Sequence, residues 1–138
     1  MDKIGYVRVS TADQNAENQC RIREAAGIPR DLIFVDKGIS GTVPPQKRPG
    51  FRAMLEYIKN NEQIRFVYVF ELSRLGRTLI ETLTTIEDLE SRGILVWSLS
   101  PNEGFTRSDD KSIRSLLNSI LSWVAQRAVS YTHLTLPT

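Results

Sequence analysis

Tyr6-Val7-Arg8-Val9-Ser10-Thr11 is the stretch on which the reading of the chain turns. It reads as a β-strand that ends at a hydroxyl pair, and strand alternation places Arg8 and Ser10 on one face. A guanidinium is costly to bury without a partner, and its planar fork matches the oxygens of a phosphate. The pairing therefore suggests Ser10 as a nucleophile aimed at a phosphodiester, with Arg8 holding that phosphate. A plainer reading stands beside it: a Ser-Thr pair after a strand is also the usual N-cap of the next helix.

Working outward, the pattern alternates. Ile4–Val9 reads as the first strand, and a helix is expected from about Asp13 to Ala26, stopped by Gly27 and Pro29. Leu32–Val35 is a short, wholly apolar run, expected to be a strand buried on both faces. Gly38, Gly41, Pro44, Pro45, Pro49 and Gly50 then mark the span 36–50 as a long, irregular and mobile loop. Pro49 suits the first turn of a helix reaching Asn60, with Phe51, Met54, Leu55 and Ile58 inward. Phe66–Phe70 reads as a central strand, and Thr78–Arg92 as an amphipathic helix with Leu79, Leu83, Ile86 and Leu89 inward. Ile94–Leu99 is a fourth strand. A last helix is expected from Asp109 to at least Gln126. Its apolar stripe, wide for a small domain, suits partial packing on a second subunit. Strands alternating with helices define an α/β domain: three layers, a mostly parallel central sheet flanked by helices, and a long C-terminal helix.

The bulk numbers fit one such domain. The chain has 138 residues, 41% hydrophobic and 25% charged, which excludes a disordered polyelectrolyte. No apolar run is long enough to span a bilayer, and Met-Asp-Lys-Ile-Gly leads almost directly into a strand, so a cytoplasmic protein is expected with no membrane partner. The lone Cys20 excludes an internal disulfide and is expected to be a small buried residue in the first helix. One histidine and one cysteine offer no soft-ligand metal site, and no cofactor is expected. A net charge of +2 is too small to announce a polyanion partner by itself.

Placement says more than total charge. Arg8 stands at a strand end, Arg48 in the loop, and Arg74 and Arg77 just beyond the third strand. In open α/β sheets, sites lie outside the carboxyl ends of parallel strands, so the first and third strands would bring Ser10 and Ser73–Arg77 to one edge. Arg74 and Arg77 are three apart, so a helical turn would face both the same way.

Gly5–Thr11, Gln14, Gln19, Asp36-Lys37 with Ser40-Gly41, Arg48-Pro49-Gly50-Phe51 and Ser73-Arg74-Leu75-Gly76-Arg77 together resemble the catalytic domain of the serine recombinases, the resolvase and DNA invertase family. The resemblance runs in order over about residues 3–126. It implies site-specific DNA recombination through a covalent 5′-phosphoserine link, with double-stranded DNA at a crossover site as partner. It also implies a homodimer that becomes a tetramer during strand exchange. On this resemblance Ser10 is the nucleophile, and Arg8, Arg74 and Arg77 contact the scissile phosphate. Arg48 assists from the loop, and Gln14, Gln19, Asp36 and Ser73 support the site.

The chain departs from the family pattern in two places. Many members carry aspartate where Ser73 stands, and Ala128 and Val129 occupy positions where a Glu-Arg pair is expected. Residues 1–126 are therefore expected to form the catalytic domain. Residues 127–138 look like a non-native tail, the trace of a cloning or assembly junction, with no DNA-binding domain after it. The competing function is a truncated, inactive dimerisation or interaction module of the same fold. A nucleotide-binding α/β protein is disfavoured, because no glycine-rich phosphate loop follows the first strand.

Overall fold

A computed structural model describes residues 1–106 except Thr11, Gly41 and Arg77; the side chains of Ala12, Asp13, Asn102, Gly104 and Phe105 also lie outside the description. The expected last helix, 109–126, and the tail, 127–138, fall beyond the described residues.

Among the described residues four strands form one parallel sheet: β1 (Lys3–Val9), β2 (Ile33–Lys37), β3 (Phe66–Val69) and β4 (Leu95–Ser98). Their order is β2-β1-β3-β4. The helices are α1 (Ala12–Ala26), α2 (Pro49–Asn60) and α3 (Leu79–Ser91). Alternation along β1 sorts the core in two. Ile4 and Tyr6 join Phe51, Met54 and Ile58 of α2 and Ile86 and Leu89 of α3. Val7 and Val9 join Ile22 of α1 and Phe66 and Tyr68 of β3. The sheet is thus a middle layer between α1 on one side and α2 with α3 on the other, as the sequence led us to expect.

Local chemistry explains the boundaries. Gly27 follows α1 with φ +68°, a left-handed conformation that costs glycine little and most residues more. Pro49 takes the first turn of α2, where its missing N–H is no loss. Thr78 caps α3 by accepting from the Glu81 N–H at 3.1 Å. All four β3 residues are buried, as a central strand requires.

Four expectations need correction. Among the described residues β2 is an edge strand rather than one buried on both faces; Ile33 and Asp36 are its buried residues, while Phe34 and Val35 are half-buried. Leu79, expected inward, is 57% exposed because it opens α3 at the rim, one turn before the contact with the sheet begins. Cys20 is exposed, and its thiol donates to Glu24 Oε1 at 3.5 Å, because α1 meets the sheet through Ile22 and turns Cys20 away. The span 36–50 is not wholly irregular: Asp36 and Lys37 end β2, Pro45–Lys47 form a 3₁₀ turn, and Pro49 and Gly50 begin α2. Among the described residues no helix is long and apolar enough to cross a membrane.

Candidate active site

From β1 the chain goes to β2 on one side and reaches β3 on the other, so the sheet order reverses between β1 and β3. The crevice beyond the carboxyl ends of those two strands is where side chains from separate segments converge. β1 delivers Arg8 and Ser10 there. β3 runs into a 3₁₀ turn, Leu72–Leu75, that carries Ser73 and Arg74.

Ser10 is exposed just past β1, and its hydroxyl donates to Gln14 Oε1 at 3.0 Å, one turn into α1. Gln14 thus orients the hydroxyl without removing its proton. The N-terminal end of α1 beside it carries partial positive charge that favours an anion.

Arg48 is 0% exposed. Its Nε donates to Val43 O at 2.9 Å, and its Nη1 donates to Tyr6 Oη at 3.3 Å and to Arg74 O. One guanidinium therefore joins the loop before α2, strand β1 and the turn bearing Arg74. This corrects the expectation of an arginine acting from a mobile loop: three acceptors, two of them from distant segments, make burial affordable. The Arg48 Nη2 group is buried with no hydrogen-bond partner among the described residues, and so is Arg8 Nε. Arg8 Nη1 donates to Ile39 O at 3.0 Å. Burial, and then the positive charges of Arg74 and Arg48, hold the Arg8 pKa below the ordinary arginine value. Like charges are crowded here, with donors left over. Such an arrangement is suited to an anion.

Asp36 is 2% exposed and sits opposite Arg8 in the β1–β2 register. Its carboxylate accepts from Gly50 N at 2.7 Å, Phe51 N at 3.0 Å and Tyr6 Oη at 2.8 Å. It thus caps α2 from across the fold, where Arg48, the residue at the cap position, offers no side-chain cap bond. The close approach explains Gly50. A Cβ there would meet Val35 O at 2.5 Å, Val35 C at 2.8 Å and Asp36 Cγ at 2.9 Å. In an ordinary helix Gly→Ala stabilises; here Gly50→Ala is expected to lower stability by about 3 kcal/mol in a urea titration, because the atoms it strikes belong to backbone and a buried carboxylate.

Tyr6 was not among the residues singled out from the sequence, although it shares the alternating face of Arg8 and Ser10. It is fully buried, edge-on to Phe51 with ring centroids 5.3 Å apart, and its hydroxyl links Asp36 to Arg48. Burial is the main cause that raises its pKa; the Arg48 hydrogen bond opposes this and Asp36 reinforces it. A raised folded-state pKa adds stability that is present below the unfolded value, about pH 10, and is lost as pH rises through the folded one. Tyr6→Phe is expected to cost about 1 kcal/mol at neutral pH, because Asp36 keeps both backbone donors. It should also flatten the fall in stability above pH 10, which thermal melts across that range measure.

Ser73 and Arg74 share an acidic neighbour that the sequence reading also passed over. Glu71 accepts from Ser73 Oγ at 3.3 Å and pairs with Arg74 Nη2 at 3.4 Å; the pair is solvent-accessible and contributes little stability. Gln19 lies farther along α1, donating to Asn15 Oδ1 at 2.7 Å and accepting from Arg30 Nε at 3.4 Å. The described contacts join Asp36, Tyr6, Arg48 and Arg74 in one network, with Arg8 within reach of the charges of Arg74 and Arg48, while Ser10 and Gln14 form a separate pair just past the end of β1. Gln19 is held elsewhere, and Arg77 lies outside the described residues.

Fold and crevice define a parallel α/β domain with an exposed serine and clustered arginines at its topological switch. Comparison with known proteins places it further: the chain belongs to the resolvase N-terminal domain family, whose model (Resolvase, N terminal domain) matches residues 3–132, and it is a serine recombinase catalytic domain. It is 40% identical over 98 residues to the Transposon Tn2501 resolvase of Escherichia coli, covering 70% of this chain and 49% of that protein. It is 37% identical over 100 residues to the DNA-invertase hin of Salmonella typhimurium, covering 72% and 48%. The N-terminal catalytic domain of TP901-1 integrase matches with TM-score 0.70 and 26% identity, over 94% of this chain and 98% of that one. A resolvase family site-specific recombinase from Streptococcus pneumoniae matches with TM-score 0.65 and 28% identity, over 97% and 92%. The chain spans about half the length of the curated relatives it matches.

Proposed function

We propose that this chain is the catalytic part of a site-specific DNA recombinase in which Ser10 attacks a backbone phosphate. The Ser10 Oγ–phosphorus bond forms as the bond from phosphorus to the 3′ oxygen breaks. The serine proton leaves to solvent or a nearby acceptor, and the departing oxygen is protonated to a free 3′-hydroxyl. The protein is left on the 5′ phosphate, and reversal with a new 3′-hydroxyl rejoins the strands. One phosphoester replaces another, so the exchange conserves bond energy and needs no ATP.

Arg8 and Arg74, with Arg77 by resemblance, stabilise the charge that grows on the pentacoordinate phosphate. Arg48 lends the N–H group that has no partner among the described residues, and Gln14 aims the serine. Asp36 sets the α2 N-terminus and, through Tyr6, the Arg48 guanidinium. On this reading residues 1–126 are the catalytic domain, double-stranded DNA is the partner, and the active assembly is a dimer that becomes a tetramer. The observation that carries the reading is the pair of buried guanidinium N–H groups, on Arg8 and Arg48, that have no partner among the described residues, on a domain whose first strand ends at an exposed serine.

The test uses the full-length protein and its crossover site carrying a nick that traps the cleaved state. Covalent protein–DNA attachment is expected for the parent and none for Ser10→Ala. Attachment that persists in Ser10→Ala overturns the assignment. Its absence from both, on DNA that the protein binds, supports the inactive interaction module instead.

A further inference from the structure

The turn that carries Ser73 and Arg74 begins at Leu72, and its own cap position, Glu71, offers no side-chain hydrogen bond to its backbone N–H groups. Its first N–H is instead taken by a residue 31 positions away: Leu72 N donates to Glu103 Oε1 at 2.9 Å. The same oxygen accepts from Ser98 Oγ at 2.5 Å. Glu103 is itself held at both ends of its peptide, its N–H donating to Ser100 O at 3.0 Å and its carbonyl accepting from Thr106 Oγ1 at 3.0 Å. Ser98 and Thr106 are buried, and Ser98 N donates to Thr106 Oγ1 at 2.9 Å. A half-buried carboxylate fixed this way is not a solvated surface charge.

We infer that Glu103 is a positioning residue for Arg74: by capping the short turn from the end of β4, it fixes the backbone from which Arg74 reaches the phosphate. The same bond sets the Arg74 carbonyl, which accepts a hydrogen bond from the buried Arg48 guanidinium. Two of the segments that bring arginines to the crevice are thus capped by carboxylates remote in sequence, Asp36 for α2 and Glu103 for the 72–75 turn. The inference rests on the reading of Arg74 as a phosphate contact. Nothing in the spacing of the sequence announces it, because the cap and the turn belong to separate segments.

The test compares Glu103→Ala, Glu103→Asp and Glu103→Gln with the parent chain, using inorganic phosphate as probe. Gln keeps an oxygen at the same reach; Asp keeps the charge but falls one methylene short, and it serves if the Ala variant does not fold. Amide exchange at Leu72 is expected to quicken about tenfold in Ala and Asp and to stay near parental in Gln, with Val67 and Val69 unchanged. Phosphate affinity, read from the Arg74 Nε–Hε resonance, is expected to weaken about tenfold in Ala and Asp and less than about twofold in Gln. Unchanged Leu72 exchange in Ala or Asp overturns the cap. Faster exchange with parental phosphate affinity overturns the positioning role. If the parent shows no phosphate binding, the inference falls together with the reading of Arg74. That case is recognised because Leu72 exchange still separates Ala from Gln.

Discussion

Asp36→Ala is expected to lower folding stability by about 4 kcal/mol, measured as the loss of unfolding free energy in urea. The carboxylate is 2% exposed and accepts three hydrogen bonds, two of them from the first N–H groups of α2. Truncation leaves those N–H groups buried without acceptors, at about 1–3 kcal/mol each. It also removes the anion that Tyr6 links to the Arg48 guanidinium. Single domains are stable by about 5–15 kcal/mol, so the variant should sit near the edge of folding. Asp36→Asn keeps one acceptor oxygen and is expected to lose about half as much. A cost below about 1 kcal/mol for Asp36→Ala would mean that α2 is held by its apolar face alone.

Arg74→Ala is expected to do the reverse: to slow strand cleavage by about a hundredfold, roughly 3 kcal/mol of transition-state stabilisation, while leaving stability nearly untouched. Its guanidinium is half-exposed, and its ion pair with Glu71 is solvent-accessible, so little packing is lost. Its charge also depresses the Arg8 pKa, so its removal relieves the folded state without DNA. Single-turnover cleavage of crossover-site DNA by the full-length protein, beside thermal melts of the same variants, separates the two effects. Arg74→Lys should recover only part of the rate, because an ammonium restores charge but not the planar fork. A large fall in melting temperature with proportionate loss of activity would make Arg74 a structural residue.

These two substitutions mark what could be read from the residues alone. Arg8 and Ser10 were legible because strand alternation is strict, and the 66–70 run was legible because a central parallel strand is apolar on both faces. The same rule misread β2. An apolar run of four residues looks doubly buried wherever it lies, and its edge position is set by strand order. Leu79 and Cys20 have helical spacing that suits a core, but the contact of a helix with a twisted sheet covers only part of its length. Arg48 was expected in a mobile loop, since its acceptors lie at Val43, Tyr6 and Arg74, and their meeting is a product of the fold. The family resemblance assigns Asp36 a supporting role, but its work as a remote helix cap emerges only when β2 and the start of α2 meet in the fold. Stability and chemistry are therefore interleaved: carboxylates remote in sequence hold the turns, and Arg8 and Arg48 each keep a buried N–H group with no partner among the described residues.

The central claim is that Ser10 carries the DNA. The most direct measurement is peptide mass spectrometry of the trapped protein–DNA adduct after nuclease and trypsin digestion. The expected result is a phosphoryl or nucleotidyl mass on the Val9–Arg21 peptide, assigned to Ser10 by fragmentation, with a free 3′-hydroxyl on the released DNA end. A modification on another residue, or a protein joined to the 3′ side of the break, would contradict the account.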